Sequence, residues 1–252
     1  MVIPAFDGSW HDGRVGLRQL RYTLGTMRRD ARRTAFYRRF VKPGDLAFDI
    51  GAHTGDRTRL LLRAGARVVA VEPHPALSAK LQRTFEGEPD VVVVAEAVGA
   101  EPGTAELRWP AGGLPVASMA DEWIDRVRTS GRFRVAWEEH AEVAVTTLDE
   151  LIDRHGVPAF CKIDVEGYEE QVLAGLTQPI ASLSIEFTPE FLDSTERSLT
   201  RLAELGAYRF AYSLGESLEL SRDGWLTREQ VLSRLRELDA MSFGDVYARR
   251  SG

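Results

Sequence analysis

The feature that most constrains this chain is the run Phe48-Asp49-Ile50-Gly51-Ala52-His53-Thr54-Gly55, followed one helix later by Val68-Val69-Ala70-Val71-Glu72-Pro73. Apolar residues ending in an acid, then glycines, then helical spacing read as a buried strand, a tight turn and a helix. The second run reads as the next buried strand. In an open α/β sheet, ligands bind outside the carboxyl ends of the strands. Glycine is needed where backbone must turn sharply or approach a ligand closely. Glu72, at the end of the second strand, is placed to hydrogen-bond ribose hydroxyls. The pattern predicts an adenosine-containing ligand.

Charge narrows the choice. A dinucleotide site wants Gly-x-Gly-x-x-Gly, so that a pyrophosphate can rest on bare amides at a helix N-terminus. This chain has Gly51-x-x-x-Gly55 with His53 in the middle, and no Gly-Lys-Ser/Thr of a P-loop. Asp49, just before the turn, would repel a pyrophosphate and suits a ligand bearing an ammonium and a sulfonium. S-adenosylmethionine carries both. The plainer alternative is a βαβ unit whose glycines only pack helix on strand.

The 252 residues fit one α/β domain with decorations, and 44% hydrophobic content is core enough for a doubly wound sheet. A formal net charge of -6 disfavours a general nucleic-acid binder. Cys161 is the sole cysteine, which excludes an internal disulfide and a cysteine-rich metal site. It lies in an apolar run and reads as a small buried hydrophobe. No apolar run approaches the ~20 residues of a membrane span, and no signal peptide is visible, so a cytoplasmic protein is expected.

Residues 1–40 read as a basic, amphipathic helical extension. Nine arginines and one acid, Asp30, fall between Arg14 and Arg39, and Leu17, Leu20, Leu24, Met27 and Ala31 recur at helical spacing. Such a segment packs on the domain with a solvated basic face, or acts as a lid or a surface for acidic or lipid-linked partners. Residues 41–252 read as one domain in which strands alternate with helices, implying a mainly parallel sheet. Strands are expected at Leu46–Ile50, Arg67–Val71, Val91–Val98, Ala159–Asp164, Ser182–Phe187, Tyr208–Ser213 and Asp245–Arg249. The third is continuous and β-branched, as suits a strand covered on both faces. A helix is expected over Ser198–Leu205. A segment at about 99–146 breaks the rhythm and holds Trp109, Trp123 and Trp137, which either form a platform for a ring or cover a core. Thr227-Arg228-Glu229-Gln230 is a capping box.

Each strand that reads as central and parallel carries an acid at or near its end: Asp49, Glu72, Glu96, Asp164 with Glu166 close behind, and Glu186. Isolated acids at strand ends are commonplace as helix caps; so many along one rim suit a cationic ligand. The most specific run is Lys162-Ile163-Asp164-Val165-Glu166-Gly167-Tyr168-Glu169. Together with Asp49 through Gly55, Val71-Glu72-Pro73 and Thr147-Leu148-Asp149-Glu150-Leu151, it resembles the FkbM-type S-adenosylmethionine-dependent methyltransferases. The resemblance runs from about Val41 to Phe187, with a weaker echo from Phe243 to Ala248. It departs at His53, where the family often has asparagine.

The resemblance implies a class I, Rossmann-like methyltransferase fold: a seven-stranded, mostly parallel sheet, helices on both faces, and a last strand that enters antiparallel. It implies O-methylation of a hydroxyl on a sugar, polyketide or similar small molecule. Asp49 with Gly51, Ala52, His53, Thr54 and Gly55 would hold the methionine portion. Glu72, beside Pro73, would take the ribose. Glu96, Ala97 and Val98 would lie beside the adenine, and Asp164 would face the methionine end and the acceptor.

A hydroxyl must lose its proton as it is methylated, and a base within reach contributes about 10²–10⁴-fold. Asp164 is the first candidate, with Glu166, His53 and His74 behind it. His74, between Pro73 and Pro75, reads more simply as a loop cap. Lys162 and Tyr168 read as an ion-pair partner and a packed ring. Asp164, Glu166 and Glu186 could offer oxygens to a divalent cation, but no metal-specific spacing is present and no metal is expected. The alternatives are an N-methyltransferase or nucleic-acid methyltransferase, a nicotinamide dehydrogenase, and a non-catalytic cofactor-binding module. The first is opposed by Asp164-Val165-Glu166-Gly167, where amino-group enzymes of that kind commonly carry Asn/Asp-Pro-Pro-aromatic. The dehydrogenase is opposed by the glycine spacing, and the binding module by the intact acids.

Overall fold

Strand β1 (Leu46–Ile50) is buried at every residue, because both faces of the sheet around it are covered. A computed structural model describes residues 30–111, 117–130 and 137–251. After the turn at 51–55 comes α2 (Asp56–Ala64), closed by Gly65 in a left-handed conformation that leaves its N–H free to cap the last turn. Then follow β2 (Arg67–Val71), α3 (Pro75–Thr84), β3 (Val91–Val94), β4 (Ala97–Val98), β5 (Gly103–Trp109), α4 (Asp121–Ser130) and β6 (Glu139–Thr146). The chain continues through α5 (Leu148–His155), β7 (Phe160–Ile163), α6 (Glu169–Ala174), β8 (Ser182–Phe187), α7 (Leu192–Leu205), β9 (Tyr208–Leu214), α8 (Arg228–Arg236) and β10 (Gly244–Arg250). Residues 30–37 form a helix, α1.

The main sheet has the order β3-β2-β1-β7-β8-β10-β9. Its pairs are parallel except for those of β10, which runs antiparallel to both β8 and β9. This is the seven-stranded class I methyltransferase arrangement. One face packs Phe48, Ile50, Cys161, Ile163 and Ile185 against Leu148, Leu151, Val172, Leu199, Leu202 and Val231 of the following helices. The other face packs Ala47, Val68, Phe160 and Tyr247 against α1 and α2. Thr147 caps α5 through the Glu150 N–H, and the capping box of Thr227 and Gln230 opens α8.

Three expectations change. Val91–Val98 is not one strand. β3 ends at Val94, and Ala97–Val98 leaves to pair with β6 in a second, three-stranded sheet, β4-β6-β5. β3 is the edge of the main sheet, with Val92 46% exposed, so its valines reflect β propensity and not burial on both sides. The helix placed at Ser198–Leu205 begins at Leu192, because a 3₁₀ turn at Pro189–Phe191 runs straight into it. Finally, Leu17, Leu20, Leu24 and Met27 lie outside the described residues. Ala31 is exposed, while Phe36, Tyr37 and Phe40 turn inward. They meet Phe160 and Tyr247 at ring separations of 5.1–5.8 Å, aromatic packing that an aliphatic stripe did not anticipate.

Candidate active site

The turn after β1 is held by its glycines and by one carboxylate. Gly51 has φ +78°, and a Cβ there would overlap the carbonyl oxygen of Asp164, so the two strand-end loops touch backbone to backbone. The amides of Gly51 and Ala52 donate to the Val71 carbonyl at 2.9 and 3.0 Å. His53 is left-handed at φ 50°, uncommon for a residue with a side chain, and its N–H donates to Glu72 Oε2 at 2.8 Å. The His74 N–H donates to Glu72 Oε1 at 2.9 Å. Glu72 therefore ties the two loops together. Burial pushes its carboxyl up to about 7 against those two hydrogen bonds. His74 caps α3 through Nδ1 and leans on Trp109 at 4.3 Å between ring centres.

The loop after β7 is built differently. Lys162 is buried on β7, beside Asp49 in register on β1, and its Nζ donates to Asp164 Oδ2 at 2.6 Å. Burial alone would raise the Asp164 carboxyl. The Lys162 charge and hydrogen bond, Arg57 and a hydrogen bond from Glu186 outweigh it and hold Asp164 below its ordinary value. Glu186 goes the other way: burial, then the neighbouring charge of Asp164, push its carboxyl well above the ordinary range. Glu166 and Gly167 are both left-handed, at φ 51° and 90°. Glu169 Oε1 accepts from the amides of Val165 (3.0 Å) and Gly167 (3.3 Å), and Ser118 Oγ donates to the Glu166 carbonyl at 2.8 Å. Trp123 lies where a Cβ on Gly167 would be. Trp123 and Trp137 thus cover a small core with Phe191, whereas Trp109 lines the cavity described next.

Between these loops lies a cavity of about 1100 Å³. That exceeds the ~300–1,000 Å³ usual for a single ligand, leaving room for a donor and an acceptor. Gly51, Ala52, His53, Thr54, Glu72, Pro73, Glu96, Ala97, Val98, Asp164 and Glu166 all line it. Two anticipated residues are not on that wall. Gly55 is packed under Leu81 and Phe85, and Asp49 is fully buried behind the turn. Strand alternation points Asp49 to the α1 face, where Oδ2 accepts from Thr58 Oγ1 at 2.6 Å and Oδ1 has no hydrogen-bond partner among the described residues. Glu96 reaches the cavity but is gripped by Arg154, at 2.8 and 3.3 Å. Oxygens of Asp164, Glu166 and Glu186 come within 4.8 Å of one another.

Sequence reasoning missed Glu169 as the clamp of the Asp164 loop. Its one signal was an acid at the start of a helix, two residues past a glycine. Burial pushes its carboxyl up to about 7 from 4.5, so the folded protein takes up a proton there that the unfolded chain does not. Stability from this group is therefore present at low pH and falls as pH rises from about 4.5 to 7. Compared with Glu169→Gln, the wild type should lose about 3 kcal/mol across that window and nothing further above it. Urea unfolding of both proteins at several pH values reads the difference. The comparison is needed because burial lowers His53, His74 and His155, which tilts both profiles the opposite way. A constant difference would remove Glu169 from the clamp.

The residues fit S-adenosylmethionine. A glycine turn gives backbone access, Glu72 keeps lone pairs beyond the two its amides use, and acids outnumber cations on the lining. A family model described as the methyltransferase FkbM domain matches residues 49–209. No curated protein matches the sequence. Similar solved structures include a precorrin-6y C5,15-methyltransferase from Geobacter metallireducens GS-15, with 11% identity over 88% of this chain and 86% of that one, TM-score 0.47. A putative rRNA methylase from Clostridium thermocellum shares 8% identity over 88% and 95%, TM-score 0.41. A putative methyltransferase from Streptococcus mutans, in complex with SAH, shares 11% over 86% and 94%, TM-score 0.40. The family match spans the glycine turn, Glu72, the Lys162–Glu169 run and Glu186, and the chain belongs to the FkbM family of S-adenosylmethionine-dependent methyltransferases.

Proposed function

We propose that this protein methylates a hydroxyl group of a small molecule, such as a sugar, polyketide or other natural-product or glycan acceptor, in the cytoplasm. The observation that carries the reading is the ionised Asp164, fixed by Lys162, on the wall of a cavity large enough for two ligands. S-adenosylmethionine supplies, when bound, a methyl group already activated on a positive sulfur. The chain's own part is positioning, charge and one proton.

In this reading Gly51–Thr54 cradle the methionine portion, Glu72 accepts from the ribose hydroxyls, and Ala97 and Val98 border the adenine with Glu96 at its edge. Asp49, walled off behind the turn, makes no contact with the ligand. Asp164 Oδ1, the oxygen that Lys162 leaves, accepts the acceptor's hydroxyl proton. An oxygen that is bonding to carbon becomes strongly acidic, so a carboxylate held below its usual range is still basic enough. Glu186, hydrogen-bonded to Asp164, keeps it oriented. His53, whose imidazole burial keeps neutral, is the second base candidate. Net charge -6 and an acid-rich lining favour a small acceptor over a nucleic acid.

Calorimetric titration should show S-adenosylmethionine binding and no NAD binding; the opposite pattern overturns the cofactor. Methyl-labelled donor offered to RNA and to a panel of hydroxylated small molecules tests the acceptor class, and label on RNA alone defeats it. Glu72→Ala should weaken cofactor binding by about 1–3 kcal/mol, the penalty for hydrogen-bonding groups left unpaired in a buried site. An unchanged dissociation constant would take Glu72 off the ribose.

A further inference from the structure

The far end of the cavity is basic. Arg33 of α1 and Arg57 of α2 both line it, with side chains only 20% and 11% exposed. Each points a nitrogen at the same oxygen, Glu216 Oε2; Arg57 does so through Nη2, and Arg33 Nη2 stands 3.7 Å away. Two guanidiniums thus share one carboxylate oxygen. Arg33 Nε and Arg57 Nη1 are buried and have no hydrogen-bond partner among the described residues. A buried donor left unmet is costly, and a guanidinium fork is shaped for two oxygens on one centre.

Glu216 is a poor permanent partner. Its side chain is 70% exposed, and it follows Gly215, left-handed at φ 52°, in the loop after β9. An ion pair with so exposed an acid contributes little and is easily exchanged. Arg57 also interacts with Tyr37, Asp245 and Tyr247, and its charge reaches Asp49 and Asp164; Asp245 is shared with Lys162. The loop after β9 lies at the edge of the sheet opposite β2 and β3, whose ends carry Glu72 and its neighbours. This is the side left for the acceptor.

We propose that Arg33 and Arg57 form an oxyanion subsite for a carboxylate or phosphate carried by the methyl acceptor, and that Glu216 fills it as an internal surrogate until the acceptor arrives. The inference deepens the proposed function and rests on it for the word acceptor. The subsite itself stands on the two arginines.

The probes are inorganic phosphate and acetate, titrated calorimetrically into the purified 252-residue chain. Saturable binding is expected, with the tighter of the two naming the acceptor's group. Arg33→Gln and Arg57→Gln should each weaken it by about tenfold or more. Glu216→Gln should tighten it about twofold to fivefold, because the competing carboxylate is gone; a merely structural Glu216 would not do this. Should Arg57→Gln fail to fold, Arg33→Gln and the exposed Glu216→Gln decide alone. Binding should persist with S-adenosylhomocysteine at saturation. Absence of binding, or binding indifferent to all three substitutions, overturns the subsite. Competition by S-adenosylhomocysteine overturns the acceptor assignment and gives the arginines to the cofactor's own carboxylate. Failure of S-adenosylhomocysteine to bind at all would strike the proposed function and leave the anion result standing.

Discussion

Asp164→Asn is expected to lower methyl transfer by about 10²–10⁴-fold, with cofactor affinity and fold nearly unchanged. The substitution keeps the shape and removes the charge. An amide oxygen still accepts from Lys162, so the loop keeps its anchor, but the group facing the acceptor can no longer take a proton. Gly51 stays packed beneath the Asp164 carbonyl, which the substitution does not alter. The measurement is single-turnover transfer of labelled methyl, alongside a cofactor titration and circular dichroism. Near-normal turnover would end the role of Asp164 as base and shift attention to His53. A lost cofactor affinity with turnover unchanged at saturation would make it an anchor only.

Lys162→Met should be the more damaging change to the fold, costing about 3–5 kcal/mol, the range for breaking a buried pair from one side. Burial disfavours the Lys162 ammonium, yet Asp164, then Asp49, then Asp245 hold it charged, so it serves three acids at once. Asp49 and Asp245 are themselves buried, each pushed up chiefly by burial, Asp245 to about 6. Without the ammonium these acids face one another in a dry interior. Denaturant unfolding of the single variants and of Lys162→Met combined with Asp164→Asn gives a cycle. The double variant should be less destabilised than the sum, since it removes both ends of one pair. Strict additivity would mean that the ammonium does not support Asp164.

Much of this architecture was readable from the chain. β1, β2 and β8 lie at the expected bounds: β1 and β2 are buried apolar runs apart from Asp49 and the leading Arg67, and in β8 Leu183, Ile185 and Phe187 alternate with Ser182, Ser184 and Glu186. The glycine turn, Glu72 and the Asp164 loop also came together around one cavity. What was not readable depended on neighbours distant in sequence. Val91–Val94 looks the same at a sheet edge as at its centre, and the break at Ala95–Glu96 has no glycine or proline to announce it. Glu96 found Arg154, 58 residues away. Asp49 was assigned to the ligand because it precedes the turn. The period of two, which turns alternate side chains to opposite faces, was the available warning.

The segment between β5 and β6 has a consequence for how the enzyme can be re-engineered. Ser118 and Trp123 belong to the decoration between β5 and β6, outside the main sheet, yet they brace the backbone that carries the proposed base. Swapping that decoration to change what is methylated would also detune the rate unless both props travel with it. Selectivity and speed are therefore inherited together in this chain, and a chimera that keeps only the core should recognise its donor and turn over slowly.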